Sequence, residues 1–131
     1  MTRTSKLVVD SWAWVEYFGG SAIGKKVEAA FSEVDEIWTS AVSIAELVAK
    51  YRRKNMDESR AIEALYSLSR IGSPSREDAR EAGRIHAELK AKSPSFGLAD
   101  SFVLQLARKL GAKVLTGDLD FRGIREAELL S

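Results

Sequence analysis

Two rhythms of apolar and polar residues run through this chain, and they alternate. Leu7-Val8-Val9 after Lys6 is a short continuous apolar run, the pattern of a buried strand over Lys6–Val9. From Ser11 to Phe18 the apolar spacing turns helical until Gly19-Gly20 interrupts it. A second helix over Ser21–Phe31 places Ile23, Val27, Ala30 and Phe31 on one stripe. Glu36–Thr39 reads as a second strand, followed by a helix over Ser40–Arg53 with Lys50, Arg52 and Arg53 at its negative end. Asp57 is the expected N-cap of a helix through Ser69 that carries Ile62, Leu65, Tyr66 and Leu68. Arg70–Pro74 is a short strand or a loop, and Ser75-Arg76-Glu77-Asp78 is a capping box opening a helix to Lys92. Ser93–Gly97 forms a loop into a helix around Asp100, and Gly111 is its left-handed stop. Val114–Thr116 is a strong strand and Ala127–Leu130 a short edge strand. Helices alternating with strands, without hairpin turns, predict an α/β three-layer sandwich. Its parallel sheet has about four or five strands, with helices on both faces.

Length and composition narrow this only a little. A chain of 131 residues, 45% apolar and 30% charged, is expected to form one domain over residues 1–131, burying roughly two-thirds of its unfolded surface. It contains no cysteine, which excludes disulfides and thiolate metal sites. The polar start Met1–Lys6 is followed by too short an apolar run for a signal peptide. No segment approaches the ~18 apolar residues of a membrane span, so the expected location is the cytoplasm.

Charge changes the picture more. Net charge is +1, but four acids fall at element boundaries: Asp10 closes the first strand, Glu46 lies early in a helix, Asp100 opens another, and Asp118 follows the last strong strand. In an open parallel sheet, the segments leaving the carboxyl ends of the strands converge on one crevice. Four carboxylates meeting there repel one another and call for a divalent cation, the arrangement of a metal-dependent phosphodiesterase. Setting them aside leaves 20 bases against 15 acids, a mildly basic surface around a negative hole. Each acid also has an ordinary explanation when taken alone. Asp10 caps a helix, Glu46 completes a capping box with Ser43, Asp100 complements a helix dipole, and Asp118 is a turn residue. Their joint placement on one edge of the sheet is what points to chemistry.

Four segments in order then resemble a known family. Leu7-Val8-Val9-Asp10-Ser11, Ser43-Ile44-Ala45-Glu46, Leu98-Ala99-Asp100-Ser101 and Val114-Leu115-Thr116-Gly117-Asp118-Leu119-Asp120-Phe121 resemble the ordered motifs of PIN domains. The stretch Asp10–Ser21 is similar in particular to the VapC toxins of type II toxin–antitoxin pairs. The resemblance spans about Lys6 to Phe121 and implies a Mg²⁺- or Mn²⁺-dependent endoribonuclease. Asp10, Glu46, Asp100 and Asp118 match the acidic quartet, and Thr116 matches the small hydroxyl residue before the fourth acid. It implies Asp10, Asp100 and Asp118 as metal ligands, Glu46 as a water-orienting group, and Asp120 as peripheral. Hard divalent ions take oxygen donors, which suits a carboxylate set. Attack by a metal-activated water would leave 5′-phosphate and 3′-hydroxyl ends. The implied partners are an RNA substrate, a cognate antitoxin and a second copy of the chain in a homodimer.

The remaining candidates are weaker. His86, the sole histidine, is expected to be structural or exposed and not catalytic. Trp12, Trp14, Tyr17 and Phe18 exceed what one buried stripe needs, so one or two should be core and the rest either pack there too or form an exposed patch, which the resemblance would give to an antitoxin helix or a second copy. Lys50, Arg52, Arg53 and Lys54 are a solvated helix end or an RNA-phosphate contact. A non-catalytic PIN-like binding module predicts a broken quartet, and this one is intact. A housekeeping RNA-processing nuclease is disfavoured by the short chain with no added RNA-binding module. A haloacid-dehalogenase-type phosphatase would need an acid where Trp12 stands. A receiver domain would need a phospho-accepting Asp in place of Ile71-Gly72-Ser73 and a Lys within Thr116-Gly117-Asp118.

Overall fold

The computed structural model describes residues 4–130. Its sheet contains β1 (Lys6–Val9), β2 (Glu36–Ser40), β3 (Arg70–Gly72), β4 (Lys113–Thr116) and β5 (Ala127–Leu129), in the order β3-β2-β1-β4-β5. Every neighbouring pair is parallel. Six α-helices connect the strands: α1 (Ser11–Gly19), α2 (Ala22–Phe31), α3 (Ala41–Arg53), α4 (Ser59–Leu68), α5 (Arg76–Lys90) and α6 (Leu98–Leu110). A short 3-10 turn follows at Leu119–Phe121.

The strand period of two divides the core into two layers. Val8 and Val114 face Ile85, Val103, Leu104 and Ala107 of α5 and α6, together with Phe96 and Phe121. Leu7, Val9 and Leu115 face Ala13, Trp14, Val27, Leu47 and Leu65 of the other four helices. β1 is buried on both sides, which is why Leu7-Val8-Val9 is continuously apolar. The three-layer α/β sandwich follows the expected class, and the short segments after Ser69 and near the C-terminus are indeed strands at the two sheet edges.

Local signals shaped most of the boundaries. Ser75 and Asp78 form the expected capping box, and Gly111 ends α6 at φ 66°. Three details depart from the sequence reading. The α4 cap position is Glu58 without a side-chain cap bond, while Asp57 accepts from the Ser59 backbone N–H at 3.1 Å and hydroxyl at 2.8 Å. α5 ends at Lys90, two residues early. Ser43 does not begin a capping box with Glu46, because Ser40 is the N-cap of α3 and the buried Ser43 hydroxyl has no hydrogen-bond partner among the described residues.

The aromatic residues of α1 follow the core-packing alternative. Trp14 is fully buried, its indole N–H donating to Thr39 Oγ1 at 3.1 Å, with the rings of Phe18 and Phe31 at centroid distances of 5.4 and 5.3 Å. Trp12, Tyr17 and Phe18 are half-buried against the same layer, Tyr17 under Phe31 of α2 at 5.2 Å and Trp12 over Gly117. His86 is structural as expected, its Nε2 lying 3.1 Å from the Phe96 carbonyl. Among the described residues, no helix is long and apolar enough to cross a membrane.

Candidate metal centre

The site lies at the carboxyl ends of β1 and β4, the two central strands from which Asp10 and Asp118 emerge. Asp10 is both the N-cap of α1 and a member of the site. Its Oδ1 accepts from the Ala13 backbone N–H at 2.8 Å, and its Oδ2 accepts from the Thr116 hydroxyl. Thr116 Oγ1 in turn accepts from the Asp118 backbone N–H at 3.0 Å. One hydroxyl therefore ties the first acid to the loop that carries the last, across 106 positions of sequence. Capping and site membership coexist in these residues. Asp100, in the first turn of α6, accepts from the Gly97 N–H at 3.0 Å, and Asp118 Oδ1 accepts from the Asp120 N–H at 2.9 Å.

Three half-buried acids, Asp100, Asp118 and Asp120, each offer a carboxylate oxygen, and these oxygens lie within 4.8 Å of one another. Asp120 is thus part of the cluster and not at its periphery. The 3-10 turn brings it round to the side of Asp118, and Ser93 and Ser95 hold its Oδ1 at 2.9 and 2.6 Å. The missed signal was the pair of serines in Ser93-Pro94-Ser95, hydroxyl donors on the loop that delivers Asp100. Asp10, 4% exposed, sits deeper, beside this group. Glu46 stands on the α3 side, where Oε1 accepts from Ser11 Oγ at 2.6 Å, and Ser11 accepts from Lys50 Nζ at 3.1 Å.

Electrostatics binds these acids into one unit. Burial pushes the Asp10 carboxyl up to about 7, with the Asp100 charge adding to the rise and the Thr116 and Ala13 bonds and Lys50 opposing it. Burial also raises Asp100 to about 6, reinforced by Asp118, Glu46 and Asp120 and opposed by the Gly97 N–H. Asp100 is therefore coupled to each of the four other acids around it. An all-oxygen donor set of mutually repelling carboxylates fits a hard divalent cation such as Mg²⁺ or Mn²⁺. A cation held there would offset the repulsion that adds to the effect of burial on these groups.

Two features frame the centre. The Trp12 ring lies over Gly117, so closely that a Cβ at Gly117 would fall 2.2 Å from its Cη2 and Cζ3. Only glycine permits this contact, which sets the loop just before Asp118. On the outer side of Trp12 a groove of about 610 Å³ runs between α1 and α3, lined among others by Trp12, Phe18, Lys50, Tyr51, Arg53 and Lys54. Arg53 and Lys54 are exposed. Arg52, the other cation of that helix end, is engaged by Glu58 at 2.6 Å.

Comparison with known proteins agrees with this architecture. Solved structures of similar shape include a toxin–antitoxin complex from Klebsiella pneumoniae, with a TM-score of 0.76 and 20% identity over 95% of this chain and 98% of that one. VapBC2 from Rickettsia felis, bound to a promoter DNA fragment, also gives 0.76, with 17% identity over 96% and 99%. VapC20 from Mycobacterium tuberculosis, a sarcin–ricin-loop-cleaving toxin, gives 0.68, with 16% identity over 92% and 97%. At such identities the likeness is one of fold. No curated protein gives a significant sequence match. A family model for the PIN domain, however, matches residues 7–127, from β1 to the start of β5. That match takes in all five acids and the four hydroxyl residues at the site, and the chain belongs to the PIN domain family.

Proposed function

We propose that this chain is a metal-dependent endoribonuclease, the toxin component of a cytoplasmic toxin–antitoxin pair. The observation that carries the proposal is the convergence of Asp100, Asp118 and Asp120, with the deeper Asp10 beside them, and with burial pushing Asp10 and Asp100 up to about 7 and about 6. The toxin side of the reading is supported by the fold shared with the Klebsiella and Rickettsia toxin–antitoxin complexes, and the RNA side by the fold shared with VapC20.

Asp100, Asp118 and Asp120 would hold Mg²⁺ or Mn²⁺, with the deeper Asp10 completing the negative charge of the site. When bound, the ion supplies Lewis acidity, making a water nucleophilic near neutral pH and offsetting charge on the phosphodiester. The chain's own groups do the rest. Glu46, held by Ser11, orients the attacking water and takes up its proton. Thr116 keeps Asp10 and the Asp118 loop in register, so that the carboxylates stay convergent. Arg53 and Lys54 on the groove offer phosphate contacts for RNA entering beside Trp12. Scission by water leaves 5′-phosphate and 3′-hydroxyl ends. The half-buried apolar wall of the same face, with Val15, Phe18 and the 50%-exposed Met56, suits an antitoxin segment.

Calorimetric titration of the partner-free protein with Mn²⁺, beside Asp100→Asn, tests the proposal. Saturable binding lost in the variant, with Mn²⁺-dependent cutting of a random-sequence RNA pool to 5′-phosphate ends, is the expected result. Equal binding by both proteins, or none by either while both stay folded, removes the metal nuclease and leaves a non-catalytic binding module.

A further inference from the structure

Lys50 is out of character with the rest of its helix end. Lys54 and Arg53 are exposed and Arg52 is spent on Glu58, whereas Lys50 turns inward to the acidic site. It stands four residues after Glu46, so both side chains leave the same face of α3. Between them lies Ser11, 4% exposed and adjacent to Asp10, which donates to Glu46 Oε1 at 2.6 Å and lies 3.1 Å from Lys50 Nζ. A serine hydroxyl has one proton to give and an ammonium has only donors. The order is therefore set: Lys50 donates to Ser11, and Ser11 donates to Glu46. The charge of Lys50 also acts on Asp10, against the influence of Asp100.

We propose that Lys50 is a positioning residue of the metal centre, orienting Glu46 through Ser11 while adding a fixed positive charge that competes with the bound cation. The inference rests on the metal-nuclease reading above. It carries a consequence that a plain structural or phosphate-binding lysine does not: metal affinity and turnover move in opposite directions when the charge is removed. Repulsion between Lys50 and the divalent ion weakens binding. The same side chain keeps Glu46 aimed at the attacking water, so its loss slows the reaction even in the metal-saturated protein.

Mn²⁺ affinity by calorimetry and single-turnover cutting of a random-sequence RNA pool, measured on Lys50→Met, Lys50→Arg and Ser11→Ala, separate the two parts. Methionine keeps the aliphatic stem and a good helix propensity, and thermal melts check folding. Lys50→Met is expected to bind Mn²⁺ about tenfold more tightly and to cut about tenfold or more slowly at saturating Mn²⁺ with the protein in saturating excess over RNA. Lys50→Arg keeps the charge and returns Mn²⁺ affinity to the wild-type value. Ser11→Ala slows cutting without tightening Mn²⁺ binding, because the charge remains while the link to Glu46 is gone. Unchanged Mn²⁺ affinity in a folded Lys50→Met protein overturns the inference, as does an effect confined to KM. Failure of the wild type to bind Mn²⁺ at all would instead overturn the metal-nuclease reading.

Discussion

The two ends of the sheet treat the same residue type in opposite ways. At the amino ends of the strands the acids meet bases: Glu36 lies 3.8 Å from Arg70, and Glu126 lies 3.4 Å from Arg108 and 3.6 Å from Arg125. Burial alone would raise Glu126, but its backbone N–H and the two guanidiniums hold it below the usual range. Asp78, at the start of α5, is lowered by the Ser75 N–H and by Lys109 from the end of α6. At the carboxyl ends the acids meet acids, and burial, reinforced by that like charge, raises Asp10 and Asp100 to about 7 and about 6. A hollow of about 720 Å³ at the amino end, lined by Arg108, Lys113, Arg125 and Glu126, lies among these paired charges. Hollow size therefore does not locate the chemistry. The cluster of like charge is what the proposed function builds on, because perturbed carboxyls gathered in one place mark a candidate site.

Substitution at the acidic end should break this contrast most severely. Asp100→Asn keeps an acceptor for the Gly97 N–H but removes a negative charge that Asp10 feels. Because changes to groups that merely support metal ligands cost about 10- to 100-fold in affinity or activity, loss of a ligand should cost more. RNA cutting should fall at least about a hundredfold while the fold, read by circular dichroism, is retained.

Gly117→Ala attacks the same end without touching a charge. The new methyl must displace the Trp12 ring or the loop before Asp118. A stability loss of about 1–3 kcal/mol in denaturant titration is expected, together with weaker Mn²⁺ binding. Wild-type Mn²⁺ affinity in this variant would show that the Trp12–Gly117 contact does not set Asp118.

The pH response should distinguish the two ends by sign. Asp10 and Asp100 bind protons more tightly folded than at their ordinary value of 3.8. Their contribution to stability is thus fully present below about pH 3.8 and is lost as pH rises through about 6 and about 7. The metal-free protein should lose a few degrees of Tm across that window, and Mn²⁺ should restore it. Asp10→Asn should abolish much of this slope and raise the metal-free Tm near neutral pH. A Tm that climbs from pH 5 to pH 8 in metal-free wild type would contradict the assignment.

The smallest effect belongs to the paired end. Asp78→Ala removes the capping box and the bonds to Gln105 and Lys109. A drop in Tm of a few degrees is expected, with unchanged Mn²⁺ affinity. A change in metal binding would show that the two ends are coupled through α6.

The pattern of the chain determined a great deal by itself. Apolar period separates strands from helices, Ser75, Asp78 and Gly111 mark where helices start or stop, and acids at strand and helix ends point to one crevice. All of these are local signals, legible because period and capping act within a few residues. Only the tertiary structure decided that Asp120 joins Asp100 and Asp118, since that depends on a 3-10 turn and on serines 25 and 27 positions away. It alone decided that Phe31 of α2 packs on Trp14 and Tyr17, that Lys50 reaches the Ser11 hydroxyl 39 positions away, and that the Thr116 hydroxyl donates to Asp10 across 106 positions. Periodicity says which face a side chain occupies on its own element. Which faces meet is settled by the packing of elements far apart in sequence, and hydrogen-bond geometry then selects among the residues brought together.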